Sequence, residues 1–300
     1  MRKLSLICIS IALALAVSFF PQAASADHRA VRDVQYYNGP DADWEYHILD
    51  VFVPEGSGPW PVLIFIHGGA WTICDKDDFP HSNLGRAFAE RGILCVSINY
   101  RLSPEVQFPE HARDTARAVA WTYANIEEYG GDPDHVVISG HSAGAHLATI
   151  VALNPEFLKE QGLDTTVLRG AVGLSGPYDV DLIMDISHVL RPWGRFKLRQ
   201  VFGDDPEVWE QAAPINFVEP PHVPVMIMVG SEDLLTPEAV SRRFYNALEG
   251  ARDEQMTKTE LVIAPGKGHV GLLLTLAKED DRYADRMEQF IRRQKPEPKK

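Results

Sequence analysis

His135-Val136-Val137-Ile138-Ser139 runs into Gly140-His141-Ser142-Ala143-Gly144, so an apolar, β-branched segment passes through a glycine-bounded turn into the small-residue run Ala143–Leu153. Strand, sharp turn and helix in that order are the setting in which a G-x-S-x-G pattern acts as a nucleophile elbow. The pattern alone says little, since chance supplies about 0.1 matches in a chain of this length. The context says more. The turn at Ser142 is tight enough that residues two before and two after it must lack bulk, as Gly140 and Gly144 do. Such a turn lifts a serine hydroxyl out of the sheet edge and leaves the amide of Ala143, at a helix N-terminus, facing an anion. The plainer alternative is a glycine turn that merely starts a helix. Partners elsewhere in the chain separate the two.

Outward from that turn, apolar runs without polar alternation recur at Pro61–Ile66, Ile93–Asn99, Leu168–Leu174, Pro224–Val229 and Glu260–Ala264. Helical patterns lie between most of them. Phe108–Tyr129 has Ala116, Val119, Ala120, Tyr123 and Ile126 at helical spacing, and Pro237–Leu248 and Arg282–Arg293 follow. Strands of this kind are buried on both faces, as in a parallel sheet covered by helices. Their alternation with helices predicts an α/β fold. At the front, Ala30–Tyr37 and Trp44–Val53 read as an antiparallel hairpin turning at Asn38-Gly39-Pro40. Residues 178–222, with Trp193, Phe196, Phe202 and Trp209, break the rhythm and read as a small cap inserted between two strands. Those aromatics suit either an acyl pocket or the packing of the cap. No repeat or linker divides residues 27–300, which are read as one domain with a solvated tail at Lys295–Lys300.

A serine hydroxyl needs a base in hydrogen-bond reach, and the base needs an orienting acid. In an elbow fold the chain order is Ser, then Asp or Glu, then His. Of 11 histidines, His146, His188, His222 and His269 follow Ser142. Only His269 follows the last apolar strand, in the loop Pro265-Gly266-Lys267-Gly268-His269; His146 lies on the elbow helix, turned away from the serine. The strand Val225–Val229 ends in Gly230-Ser231-Glu232-Asp233-Leu234, which offers two acids. Asp233 is preferred to Glu232 because Leu234 and Leu235 after it favour burial. His67-Gly68-Gly69-Ala70-Trp71 follows another strand, and its glycines let backbone amides bend into a pocket where an oxyanion would form. His67 itself reads as structural.

Taken together, Leu49–Pro54, His67–Trp71, Asn99-Tyr100-Arg101-Leu102-Ser103-Pro104-Glu105, Gly140–Gly144, Gly230–Asp233 and Gly268-His269 resemble the α/β-hydrolase esterases related to hormone-sensitive lipase, including arylformamidase-like and feruloyl or acetylxylan esterase-like members. The matches fall in family order over nearly all of residues 30–293. The resemblance implies a mostly parallel eight-stranded sheet, a triad of Ser142, Asp233 and His269, and oxyanion donors at the amides of Gly69, Ala70 and Ala143. It also implies that Tyr100–Glu105 and Asp114 brace loops rather than react. Ala70-Trp71, in place of a third glycine, is closer to the arylformamidase-like branch.

The amino terminus has a different character. Arg2 and Lys3 precede an uncharged apolar run, Leu4–Phe20, then Pro21 and Ala24-Ser25-Ala26. Basic, apolar and small segments in that order predict a signal peptide over residues 1–26 and a secreted or periplasmic product without a stable membrane anchor. Cleavage would remove Arg2 and Lys3 and no acid, taking the formal charge from −13 to −15. So acidic a chain argues against nucleic acid and anionic membranes as partners. No HExxH run or CxxC pair occurs, so neither metal nor organic cofactor is expected. Cys95 sits in an apolar run and reads as a buried thiol, although a disulfide with Cys74 is arithmetically open. The expected function is hydrolysis of a small carboxylic ester. The rivals are an arylformamidase-like amidase, a feruloyl or acetylxylan esterase, and an inactive hydrolase scaffold that binds without reacting.

Overall fold

The computed structural model describes residues 29–190, 192–220, 222–254, 256–278 and 281–295. The expected signal peptide, residues 1–26, lies outside the described residues. The elements are β1 (Arg29–Gln35), β2 (Ile48–Val53), β3 (Trp60–Ile66), α1 (His81–Glu90), β4 (Leu94–Ile98), α2 (Glu110–Asn125), β5 (Gly131–His141), α3 (Ala143–Leu153), α4 (Pro155–Lys159), β6 (Leu168–Leu174), α5 (Val180–Leu190), α6 (Pro192–Phe202), α7 (Pro206–Ala212), β7 (Val225–Gly230), α8 (Glu238–Ala251), β8 (Glu260–Ala264), α9 (His269–Leu276) and α10 (Arg282–Arg293). The strands form one eight-stranded sheet in the order β1-β2-β4-β3-β5-β6-β7-β8. β2 is antiparallel to both β1 and β4, and the remaining pairs are parallel. This is the α/β-hydrolase fold expected from the sequence.

The unalternated runs have a simple cause. Successive side chains of a strand point to opposite faces, and both faces of this sheet are dry. Val62, Ile64 and Ile66 of β3 pack with Leu147 and Val151 of α3 and Val119 of α2. Leu63 and Phe65 pack with Leu84 and Phe88 of α1, Leu272 and Leu276 of α9 and Phe290 of α10. Each such side chain removed from water contributes roughly 1.5–3 kcal/mol.

The structure corrects the reading of the front. β1 and β2 are shorter than expected, and residues 36–47 join them in place of a tight turn at 38–40. The carboxylate of Asp43 accepts the amides of Glu45 and Tyr46 at 2.9 and 3.1 Å. That local bonding draws the backbone away from a strand ladder and leaves Trp44 72% exposed. Helix α1 was not legible as a helix, because Gly85 weakens its propensity. Gly85 is there for space: a Cβ would lie 2.5 Å from the Phe52 ring of β2. Between β6 and β7 the insertion is helical, built from α5, α6 and α7. Its Phe202 is buried, the Trp209 indole N–H donates to the Gly203 carbonyl at 3.2 Å, and Phe196 is exposed.

Candidate active site

Ser142 stands between β5 and α3 with φ 55° and ψ −117°. A non-glycine residue in that region stores on the order of 1–3 kcal/mol of strain. The flanking glycines are required by contact. A Cβ on Gly140 would lie 2.2 Å from the Gly144 carbonyl oxygen, and one on Gly144 would lie 2.2 Å from the Ile66 carbonyl oxygen. The Ser142 amide donates to the Leu174 carbonyl of β6 at 2.9 Å, which ties the elbow to the neighbouring strand. Ala143 is the first residue of α3, so its amide has no acceptor within the helix.

His269 and Asp233 come together from the ends of β8 and β7. His269 Nδ1 lies 2.9 Å from Asp233 Oδ2 and 3.1 Å from Oδ1. The Asp233 side chain is fully buried and that of His269 is 11% exposed. Glu232 is exposed to solvent, away from this contact. The reason given for preferring Asp233 does not hold, however: Leu234 and Leu235 are 82% and 56% exposed. Asp233 is buried because Thr236 and the Leu235 amide supply bonds to its oxygens. Burial alone would raise its pKa, but the bonds from His269 and Thr236 outweigh it and bring it to about 2. His269 does not sit within a loop. It opens α9 directly after Gly268, because Leu272, Leu273 and Leu276 pull the following chain into the core as a helix.

The loop after β3 has positive φ at three successive residues, 108° at Gly69, 50° at Ala70 and 57° at Trp71, and the last two are strained. Consecutive amides in left-handed and turn conformations form a concave, anion-attracting nest. Trp71 anchors this loop. Its ring lies edge-on to His146 of α3 at 5.1 Å and to Phe202 of α6 at 4.9 Å, and its carbonyl accepts the Ser103 amide at 2.8 Å. Gly68 touches the elbow, since a Cβ there would lie 3.2 Å from Ser142 Cβ. The candidate nucleophile and the candidate oxyanion loop are therefore in direct contact.

Two charge clusters hold the surroundings. Buried Asp114 accepts from Arg101 Nε at 2.9 Å and from Arg117 Nη1 at 2.9 Å, and His47 Nε2 lies 2.9 Å away. Burial opposes its ionisation, but His47 and Arg101 hold its pKa below the usual carboxylate range. Farther along the loop after β3, the almost fully buried Lys76 ammonium meets Asp33 of β1 at 2.8 Å, Asp50 of β2 at 3.2 Å and Asp77 at 2.6 Å. Arg32 joins the same carboxylates of Asp50 and Asp77. No disulfide joins Cys74 to Cys95. Cys95 is buried in β4, where burial pushes its thiol pKa up.

The BD-FAE family model matches residues 49–248. The chain belongs to the BD-FAE family. Esterase LipQ of Mycobacterium tuberculosis is 37% identical to it over 222 residues, 72% of this chain and 52% of LipQ. Isoprenylcysteine alpha-carbonyl methylesterase ICME of Arabidopsis thaliana is 31% identical over 239 residues, 75% of this chain and 54% of that protein. The chain thus spans about half the length of the curated relatives it matches. Among solved structures, a truncated form of a carbohydrate esterase from gut microbiota superposes with a TM-score of 0.75 at 23% identity, covering 91% of this chain and 98% of that one. That likeness speaks to the fold.

Three residues of this BD-FAE chain escaped the sequence reading. Thr236 lies three residues beyond Asp233 and bonds both of its carboxylate oxygens. Its signal was the spacing of a short Asx-type turn, in which an aspartate caps amides two and three residues on. His141, inside the elbow pattern, donates from Nε2 to the main-chain carbonyl of His269 at 3.0 Å, with the two rings 4.7 Å apart. His81 accepts the Gly68 amide at 3.1 Å. His141 did not stand out because the elbow pattern alone explains its segment, and His81 because its partner Gly68 lies 13 residues away. His146 donates to the Ala212 carbonyl at 2.7 Å and His67 to the Gly68 carbonyl at 2.7 Å, both from buried rings.

Proposed function

We propose that this BD-FAE chain is a serine carboxylesterase that cleaves small carboxylic esters through an acyl-enzyme on Ser142. The observation that carries the proposal is the hydrogen bond from His269 to the buried Asp233 carboxylate, with the His269 main chain held by His141, the residue before the elbow serine. With Nδ1–H engaged by Asp233, the His269 imidazole keeps its lone pair on Nε2, the form a general base requires. His269 takes the Ser142 proton as the hydroxyl oxygen attacks the ester carbonyl. The amides of Gly69, Ala70 and Ala143 receive the oxyanion. As the tetrahedral intermediate collapses, His269 gives its proton to the departing alcohol. Water, deprotonated by His269, then attacks the acyl group; collapse releases the acid and returns the proton to Ser142. The names of the relatives support the same bond type, since LipQ is described as an esterase and ICME as a methylesterase. The basic, apolar and small segments of residues 1–26 support export of the product.

Hydrolysis of p-nitrophenyl acetate, butyrate and octanoate tests the proposal, with Ser142→Ala as control. Turnover in the wild type and a loss of at least about 10⁴-fold in the variant is expected. Turnover that survives the substitution overturns the assignment of Ser142. An N-formyl aryl amide hydrolysed faster than the esters moves the reaction to an amidase.

A further inference from the structure

His81 is the first residue of α1 and is only 6% exposed. Its Nε2 accepts the backbone amide of Gly68 at 3.1 Å. An accepting Nε2 puts the ring proton on Nδ1, and Nδ1 is buried with no hydrogen-bond partner among the described residues. A residue present for packing alone would be served by a hydrophobe. Here one ring nitrogen is left unsatisfied while the other is offered to the main chain.

The amide it holds is not an arbitrary one. Gly68 leads into the turn of Gly69, Ala70 and Trp71, and it is where that loop touches Ser142. Its carbonyl is held in turn by His67 Nδ1 at 2.7 Å. Peptide groups are planar and trans, so a carbonyl and the amide of the next residue lie in one plane and point in opposite directions within it. Holding Gly68 at its amide and its carbonyl therefore fixes the direction of the Gly69 amide.

We propose that His81 is a positioning residue for the oxyanion site: by accepting the Gly68 amide it sets the turn from which Gly69 and Ala70 present theirs. The role rests on the ester-hydrolase reading above. The surroundings keep the ring an acceptor. Burial, then the neighbouring His67 and His269, lowers its pKa to about 4. The rings of His67 and His141 lie 6.1 and 5.6 Å away, so His81 sits between the oxyanion loop and the elbow.

Three substitutions separate positioning from packing. In His81→Gln the side-chain oxygen reaches the place of Nε2; in His81→Asn it falls short; His81→Leu fills space without an acceptor. Asn and Leu should lower kcat by about tenfold or more with KM within about twofold, and weaken phenylboronic acid, a mimic of the tetrahedral adduct, in parallel. Gln should stay within about threefold of wild type on all three measures. Folded Asn and Leu variants with wild-type kcat and boronate affinity overturn the role, and so does a Gln variant as poor as Leu. ¹⁵N-histidine NMR of the wild type decides without any variant: Nε2 of His81 should be unprotonated at neutral pH, and a protonated Nε2 overturns the role. Absence of Ser142-dependent turnover in the wild type removes the ester-hydrolase reading and this role together; intact turnover with insensitive variants removes this role alone.

Discussion

Thr236 grips the Asp233 carboxylate at both oxygens, with its amide 2.9 Å from Oδ1 and its hydroxyl 2.9 Å from Oδ2. The hydroxyl has one proton to give, and the Ser175 carbonyl lies 2.9 Å from it as well. The acid is thus oriented from the side of its own turn before the imidazole reaches it.

Thr236→Val keeps the shape and removes that hydroxyl. The loss of one hydrogen bond, about 0.5–1.5 kcal/mol, should lower kcat by roughly 2- to 12-fold. Thr236→Ser should retain most of the rate. Steady-state kinetics on p-nitrophenyl butyrate check both, and a Val variant at wild-type rate removes Thr236 from the acid's support.

Asp233→Asn preserves size and changes the hydrogen-bond sense, so His269 would be held in the wrong tautomer. A fall in kcat of about 10⁴-fold is expected. Glu232→Gln, at an exposed side chain, should leave the rate within about twofold. The reverse pattern would transfer the role to Glu232.

The elbow was legible because its demands are local: two glycines, a strand before and a helix after. The parallel sheet was legible because burial on both faces erases alternation, as along Val62–Ile66. Legibility stopped where one long-range contact overrides a local pattern. Gly85 argues against a helix until the Phe52 ring is seen beside it. The apolar neighbours that single out Asp233 in the sequence, Leu234 and Leu235, are exposed, and its burial comes from the turn to Thr236. His81 and Gly68 are joined by a bond across the candidate oxyanion loop that no spacing rule announces.

Buried histidines should make the fold acid-labile. Burial lowers the pKa of His67, His81 and His146 to about 4 and that of His111 to about 3, against about 6.5 in an unfolded chain. Between those values the unfolded chain binds more protons than the native one, so unfolding free energy falls as pH falls. Stability present above pH 6.5 should be lost progressively towards pH 4. Thermal melts across that interval check this; a Tm that does not move would mean that these rings are charged in the native state.

One substitution should act with opposite signs at two glycines. Gly144→Ala drives a methyl into the Ile66 carbonyl and should cost roughly 3 kcal/mol or more. Gly250→Ala, in α8 with nothing within 4 Å of the new methyl, should stabilise by up to about 1 kcal/mol. Denaturant unfolding measures both. A Gly144→Ala protein as stable as wild type would mean that the elbow can relax.

The Lys76 cluster ties the amino-terminal edge of the sheet to the loop that carries Gly69 and Ala70. Asp33 of β1 supplies one of the three carboxylates around that ammonium, and Arg32 steadies the other two. A protease that clipped the chain just before Val34 would remove none of the groups proposed to react. It would still leave a buried cation short of a counter-ion and the loop free to drift. Trimming tolerance at this edge is therefore set by Arg32 and Asp33, and the protein's working life in a proteolytic setting would hinge on an edge strand that lies outside the proposed reaction.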